Sequence, residues 1–253
     1  MKFLGIIPSR YASSRFPGKP LADLCGKPLI RRVYEQVYNL LDEVVVATDD
    51  ERIFRAIEDF GGKVVMTSPD HQSGTDRCYE AYTKINGDFD VVINIQGDEP
   101  FINPKQIGLL KACFSDPQTQ IATLVKPFPA NADFETLFNP NTPKVVLNVK
   151  QQAIYFSRSV IPYIRGKQHE DWLKSNVFYK HIGIYAYKSE VLKEIAALPQ
   201  TPLEKAESLE QLRWIENDYT IKVGITDEET IGIDTPEDLA KAVLKISTES
   251  RLV

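Results

Sequence analysis

"EVVVATDDERIFRAIEDFGGKVVM", residues 43–66, holds two apolar, β-branched runs separated by one amphipathic helical pattern. Glu43 to Thr48 reads as a strand, Glu51 to Phe60 as a helix, and Lys63 to Met66 as a second strand. Gly61-Gly62 supplies the residues that commonly end a helix in a left-handed conformation. A strand, a helix and a strand so closely spaced imply parallel pairing through a right-handed crossover.

The same alternation extends on both sides. Leu4 to Pro8 reads as an earlier strand, and Ile30 to Leu41 as a helix with Val33, Val37, Leu40 and Leu41 at helical spacing. Thr75 to Ile85 is helical, and Val91 to Ile95 is a further strand. The strands are continuously apolar, as strands buried on both faces are. The expected fold is therefore α/β, a mostly parallel central sheet with helices on both faces. Beyond about Pro127 the pattern loosens, although Val145 to Val149 and Ile182 to Tyr187 still read as strands. This stretch, about 127–188, is expected to be a lid or dimerisation elaboration on a single domain spanning 1–253 rather than a separate domain. In the C-terminal third, Thr201, Pro202 and Glu204 form a helix-start signature, with Leu203, Ala206, Leu209, Leu212 and Ile215 as the buried stripe. Thr235, Pro236 and Asp238 repeat the device.

Composition narrows the functional class. With 253 residues and a net charge of -5, the chain is long enough for a sizeable core but lacks the basic surface of a general nucleic-acid binder. Cys25, Cys78 and Cys113 are odd in number and contain no CxxC pair, which points to reduced thiols in the cytoplasm rather than disulfides or zinc. No apolar run approaches a membrane span, and the N-terminus lacks the pattern of a signal peptide.

Within this acidic chain the first strand runs directly into "RYASSRFPGKP", residues 10–20, a turn-rich loop carrying Arg10, Arg15 and Lys19 among Ser13, Ser14 and Gly18. Ligands of open α/β sheets bind beyond the carboxyl ends of the strands. Backbone N–H groups of such a loop can cradle phosphate oxygens, while the cations supply counter-charge. The loop is neither G-x-G-x-x-G nor G-x-x-x-x-G-K-[ST], because Pro20 follows Gly18-Lys19. A solvated basic loop is the alternative.

"INIQGDEPFI" places Gln96, Gly97, Asp98 and Glu99 at the end of the fourth strand, where a nucleotide enzyme would hold Mg²⁺. A second carboxylate is offered by Asp234 in "TIGIDTPEDL", after an Ile231-Gly232-Ile233 strand. Thr235 is the better-placed helix cap, which leaves Asp234 free for this role. On the other side of the chemistry, Arg158 could meet a carboxylate. Glu207 and Gln211, four residues apart on a helix, would converge on one point. A solvated helix face and a surface arginine are the plain alternatives, and a lone His181 is more often structural.

With these stretches in hand, the chain resembles the 3-deoxy-manno-octulosonate cytidylyltransferase (CMP-Kdo synthetase) family over essentially its whole length. The resemblance is carried by "IPSRYASSRFPGKPL", "HQSGTDR", "VVINIQGDEPFI", "IYFSRSVIPYIR", "YKHIGIYAY", "LEKAESLEQLRWIE" and "GIDTPEDL". It implies a GT-A-like nucleotidyltransferase fold, a homodimer, and Mg²⁺-dependent transfer of CMP from CTP to Kdo for lipopolysaccharide biosynthesis. It implies that Arg10, Ser13, Arg15 and Lys19 meet CTP, that Ser73, Gly74 and Arg77 line the cytidine pocket, and that Gln96 touches substrate. Asp98 and Asp234 would hold metal. Arg158, His181, Tyr185, Glu207, Glu210 and Gln211 would face the sugar acid. Lys19, Asp98 and Arg15 form the expected catalytic set.

Three rivals stay open. One activates a related sugar acid, such as sialic acid or amino-Kdo, with CTP. Another is a GT-A glycosyltransferase, for which the chain offers only Asp88-Phe89-Asp90 at the head of a strand. The third is a non-catalytic nucleotide-binding regulator.

Overall fold

The structure, a computed structural model, describes residues 1–12, 15–229 and 231–249. Two compact units divide the chain. The first takes in Met1–Pro104 and the C-terminal segment with the last helix; the second is Lys105–Glu229.

The first unit is built on four strands, β1 (Phe3–Ser9), β2 (Glu43–Thr48), β3 (Val64–Met66) and β4 (Val91–Asn94). Each pairs with its neighbour in parallel, in the order β3-β2-β1-β4. Ser9 lies opposite Thr48 and Ile6 opposite Asn94, so the carboxyl ends of β1, β2 and β4 share one edge. Three helices connect them: α1 (Leu29–Val37), α2 (Glu51–Glu58) and α3 (Gly74–Lys84). α1 is shorter than its periodicity predicts. Its buried stripe ends at Val37, and a 3₁₀ turn then leads Leu41 into extended backbone. α2 starts where Asp50 accepts the Arg52 N–H and stops where Gly61 takes φ 76°. The last helix, Pro236–Glu249, packs Leu239, Val243 and Ile246 with Leu24, Leu29 and Ile233.

Ile231 to Ile233 is not a strand. The segment is held instead by one backbone bond, from the Ile233 N–H to the Asp98 carbonyl at 2.9 Å.

In the second unit, β5 (Ile121–Pro127) pairs antiparallel with β8 (Tyr179–Lys188) and parallel with β9 (Ile221–Ile225). β6 (Lys144–Leu147) forms a hairpin with β7 (Ala153–Ser157) and also pairs with β8, Lys144 facing Lys180. The helices of this unit are α4 (Pro104–Cys113), α5 (Phe134–Phe138), α6 (Trp172–Ser175), α7 (Ser189–Ala196), α8 (Pro202–Glu207) and α9 (Gln211–Glu216). The aromatic-rich stretch contributes a core of Phe128, Leu137, Trp172 and Phe178. The fold is thus α/β with a mostly parallel sheet, as the sequence implies. β5, β7 and β9 were not visible in the sequence pattern.

One helix expected from Thr201 onward is two. Ser208 adopts φ 51°, ψ 49°, which ends α8, and α9 begins three residues later. Leu203 and Ala206 are exposed, so only Leu209 and Leu212 of the expected stripe are buried. The helical convergence predicted for Glu207 and Gln211 is therefore incorrect: they sit on separate helices.

Candidate active site

The basic loop leaves β1 at buried Ser9, and Arg10 is exposed. The loop closes through the Gly18 N–H, which donates to the Tyr11 carbonyl at 2.9 Å. Gly18 has φ 72°, and a Cβ there would come within 2.9 Å of the Tyr11 ring, so this turn requires glycine. The Tyr11 ring carries the Arg52 guanidinium 3.3 Å from its centroid. Asp50 fixes Arg52 in turn, tethering the loop to the start of α2.

The loop delivers Lys19 to two acids. Its Nζ donates to Asp98 Oδ2 at 2.7 Å and to Asp234 Oδ1 at 3.3 Å. Arg15 Nη2 pairs with the same Asp234 oxygen at 3.1 Å. Asp98 follows Gly97, where a Cβ would stand 2.9 Å from the Pro8 carbonyl oxygen; glycine lets the β4 end approach β1. Asp234 is placed by the capping box behind it. The Asp238 carboxylate accepts the Asp234 and Thr235 N–H groups, and Thr235 Oγ1 accepts the Asp238 N–H. Lys19 is largely shielded, whereas Asp98 and Asp234 remain partly open to solvent.

Other expected nucleotide contacts divide. Ser73 caps α3, accepting the Asp76 N–H at 3.1 Å, while its own N–H donates to Asp76. Gly74 lies against Pro8 and Asn94, at the shared strand-end edge. Gln96 is half-buried just past β4. Arg77 turns inward. It is buried, with Nη2 on Asp49 at 2.7 Å and Nη1 on Thr67 at 2.5 Å. Its charge joins the ends of β2 and β3. Ser13 lies outside the described residues.

The residues expected to meet a sugar acid gather in the second unit. Glu207 accepts Ser157 Oγ–H at 2.6 Å and the Arg158 N–H at 2.9 Å. Arg158 donates from its guanidinium to the carbonyls of Glu207, Pro140 and Ser208. This clamp uses much of both side chains, leaving Arg158 two N–H donors. His181 shares a hydrogen bond with Thr123 Oγ1 at 3.0 Å, and burial pushes its imidazole down to about 3. Tyr185 is buried between the His181 ring and Trp214, with centroids 5.2 Å and 5.0 Å away. Burial, aided by Tyr187 and the nearby Glu210 carboxylate, raises its phenol well above the ordinary value. Gln211 is buried at the start of α9.

Among the described residues no three His, Cys, Asp or Glu side chains cluster as metal ligands. The Asp98–Asp234 pair nevertheless suits Mg²⁺, which takes one or two carboxylates and keeps several waters. Both acids already converge on one cation, the Lys19 ammonium. Residues that sequence reasoning overlooked are Asp49, Arg52 and Tyr11, whose partners are distant in the chain.

Residues 4–224 match the family described as cytidylyltransferase. The chain is 69% identical over 244 residues to a 3-deoxy-manno-octulosonate cytidylyltransferase of Parabacteroides distasonis, covering 96% of this chain and 97% of that one. Identity is 70% over 242 residues to the protein of the same name from Bacteroides thetaiotaomicron, with coverage of 96% and 97%. Among solved structures, a CMP:2-keto-3-deoxy-manno-octonic acid synthetase complexed with CTP superposes with a TM-score of 0.89 at 43% identity, covering 98% of this chain and 100% of that one. A 4-diphosphocytidyl-2C-methyl-D-erythritol synthase from Anaerococcus prevotii shares the fold alone, with a TM-score of 0.61 at 15% identity and coverage of 97% and 99%.

Proposed function

Since the chain belongs to the 3-deoxy-manno-octulosonate cytidylyltransferase family, we propose that it activates Kdo with CTP through the cluster of Lys19, Arg15, Asp98 and Asp234. The anomeric hydroxyl of the sugar acid attacks the α-phosphate. A new oxygen–phosphorus bond forms as the bond to the β-phosphate oxygen breaks, giving CMP-Kdo and pyrophosphate, and the hydroxyl proton passes to solvent.

Both substrates are anions, so charge is the first obstacle. Lys19 and Arg15 answer it at the triphosphate. In the free protein their cationic groups rest on Asp98 and Asp234. A triphosphate gives those cations a stronger partner, and charge-assisted bonds to phosphate hold it in place. Lys19 then follows the charge that builds on the departing pyrophosphate. Asp98 and Asp234, relieved of the ammonium, are the residues that would hold Mg²⁺, which screens phosphate charge when bound. Positioning supplies much of the remaining acceleration. Arg10, Ser13, Ser73, Gly74 and Gln96 complete the nucleotide site in this reading. Arg158, His181, Tyr185, Glu207, Glu210 and Gln211 form the sugar-acid site. Arg77 supports the nucleotide site from beneath, through Asp49 and Thr67.

The glycosyltransferase alternative is disfavoured because Asp88-Phe89-Asp90 precedes β4 instead of following it, away from the carboxyl ends of the strands where ligands bind. We further propose a cytoplasmic homodimer, with 127–188 contributing the subunit contact or a lid. The three cysteines are free, and no helix among the described residues is long and apolar enough to cross a membrane.

The observation that carries this reading is the convergence of Lys19 on both Asp98 and Asp234. The experiment is pyrophosphate release with each of the four nucleoside triphosphates, Mg²⁺, and Kdo, amino-Kdo or sialic acid. Activity with CTP and Kdo is expected. Preference for another nucleotide or another acid would overturn it.

A further inference from the structure

Lys144 is fully buried, yet among the described residues no carboxylate forms an ion pair with its ammonium. Three backbone carbonyls surround it instead, those of Asn139 at 2.9 Å, Thr142 at 2.8 Å and Arg158 at 2.8 Å. All three ammonium donors are thereby used. A buried charge hydrogen-bonded only to neutral carbonyls is expensive to keep; burial, with the nearby Arg158 guanidinium, lowers the Lys144 pKa against the opposing pull of Glu207. An apolar side chain would avoid that penalty but strip the three carbonyls of their donor, so holding this turn by a charge must have a reason.

Its surroundings supply one. The Arg158 peptide is held by opposite charges at its two ends: its N–H donates to the Glu207 carboxylate, and its carbonyl accepts from Lys144. The turn that Lys144 gathers also accepts from Arg158 Nη1 at the Pro140 carbonyl. Next to Thr142, the Pro143 carbonyl accepts the His181 N–H at 2.9 Å. A single ammonium thus fixes the turn that links Arg158 on the β7 end to His181 on β8. The network also holds two cations, Lys144 and Arg158, against one carboxylate, Glu207. Its formal net positive charge matches an anionic sugar acid.

We propose that Lys144 is a positioning residue for the sugar acid: it sets the placement of Arg158 and His181 and contributes the buried charge that favours the substrate carboxylate. This rests on the assignment of Arg158 and His181 to the sugar-acid site.

The test is steady-state pyrophosphate release by Lys144→Met and Lys144→Gln, with Arg158→Ala in parallel, at a temperature where circular dichroism shows each variant folded. The expected result is a rise of about tenfold or more in KM for Kdo with KM for CTP within about twofold of wild type, roughly 1.4 kcal/mol per tenfold. Purely structural damage would not single out one substrate. Equal changes in both KM values, or an unaltered KM for Kdo, in either folded Lys144 variant would overturn the proposal. Failure of both variants to fold would also overturn it, by leaving Lys144 a stability role alone. If Arg158→Ala leaves KM for Kdo unchanged, the sugar-site assignment falls and this proposal with it. If Arg158→Ala raises it and the Lys144 variants do not, only the role of Lys144 falls.

Discussion

Lys19 and Asp98, separated by 79 residues in the chain, meet at 2.7 Å, and the same ammonium reaches Asp234, 215 residues away, at 3.3 Å. Three segments that share no local sequence relationship therefore place a cation and two acids at one point. Ion pairs whose acids stay partly open to solvent contribute on the order of 1 kcal/mol to stability. Their value lies in what each group does when a phosphate competes for the cation.

Asp98→Ala should lower turnover by about two orders of magnitude or more, as loss of a charge-stabilising contact in an active site typically does. The protein should remain folded, because Asp98 stabilises its surroundings mainly through its backbone carbonyl, which accepts the Ile233 N–H. Pyrophosphate release in saturating Mg²⁺ measures it, and near-normal rates in the folded variant would remove Asp98 from the metal role.

Lys19→Met should separate two properties. Turnover should fall by about a hundredfold or more, through loss of counter-charge on the triphosphate. The free protein should bind Mn²⁺ more tightly than wild type, because no ammonium then competes for Asp98 and Asp234. Calorimetric titration with Mn²⁺ reads the second property without any catalysis. Weaker Mn²⁺ binding than wild type would mean that the two acids do not form a cation site.

Gly97→Ala should both destabilise and slow the enzyme. Its Cβ would meet the Pro8 carbonyl oxygen at 2.9 Å, a backbone atom that cannot swing aside as a side chain can. Relief requires the β4 end to move from β1, at about 1–3 kcal/mol for overpacking of this kind, and carries Asp98 with it. Thermal melting together with turnover at a temperature below the transition tests both parts.

Stability should fall on mild acidification, and His181 should account for part of the loss. Burial holds its imidazole near 3 in the folded state, against 6.5 when exposed. Between those values the unfolded chain binds the extra proton, so stability decreases as pH drops from about 6.5 toward 3. Glu80 adds a second loss at lower pH. Burial would raise it, but hydrogen bonds from Lys84, the Ser68 N–H and His71 prevail and bring it from 4.5 to about 2. Its stabilisation is present above 4.5 and disappears as pH falls through that range. His181→Gln should flatten the melting temperature against pH between 6.5 and about 4. An unchanged slope would show that His181 does not carry the effect.

Ser208→Gly should be neutral or stabilising by up to about 1 kcal/mol, since the left-handed conformation at φ 51° is strained for serine and free for glycine. Ser208→Val should lower the melting temperature, because a β-branched residue resists that conformation.

Much of the first unit was legible because its signals are local. The β2–α2–β3 segment announced itself through β-branched runs, the helical pattern between them and the paired glycines. The cations of the 10–20 loop and the acids Asp98 and Asp234 stood out because each follows, or was taken to follow, an apolar strand. The second unit was harder. β5 runs into Pro127, which reads as a loop start, and only pairing with β8 and β9 makes it a strand. Ser208 carries no signal of a helix break comparable to glycine or proline. The family resemblance makes Arg77 a ligand contact, and only the structure shows Asp49 and Thr67 holding it.

The sequence by itself determined the strand–helix alternation of the first unit, the capped starts of several helices, and the chemical groups that stand near its strand ends. These depend on neighbours within a turn or two, through periodicity, capping and backbone preference. Tertiary structure alone decided which charges face one another: Lys19 on Asp98 and Asp234, Arg77 on Asp49, and Lys144 on three carbonyls. Hydrogen-bond partners and desolvation are set by residues brought together across the whole chain, so the state of each ionisable group follows from the fold and not from its place in the sequence.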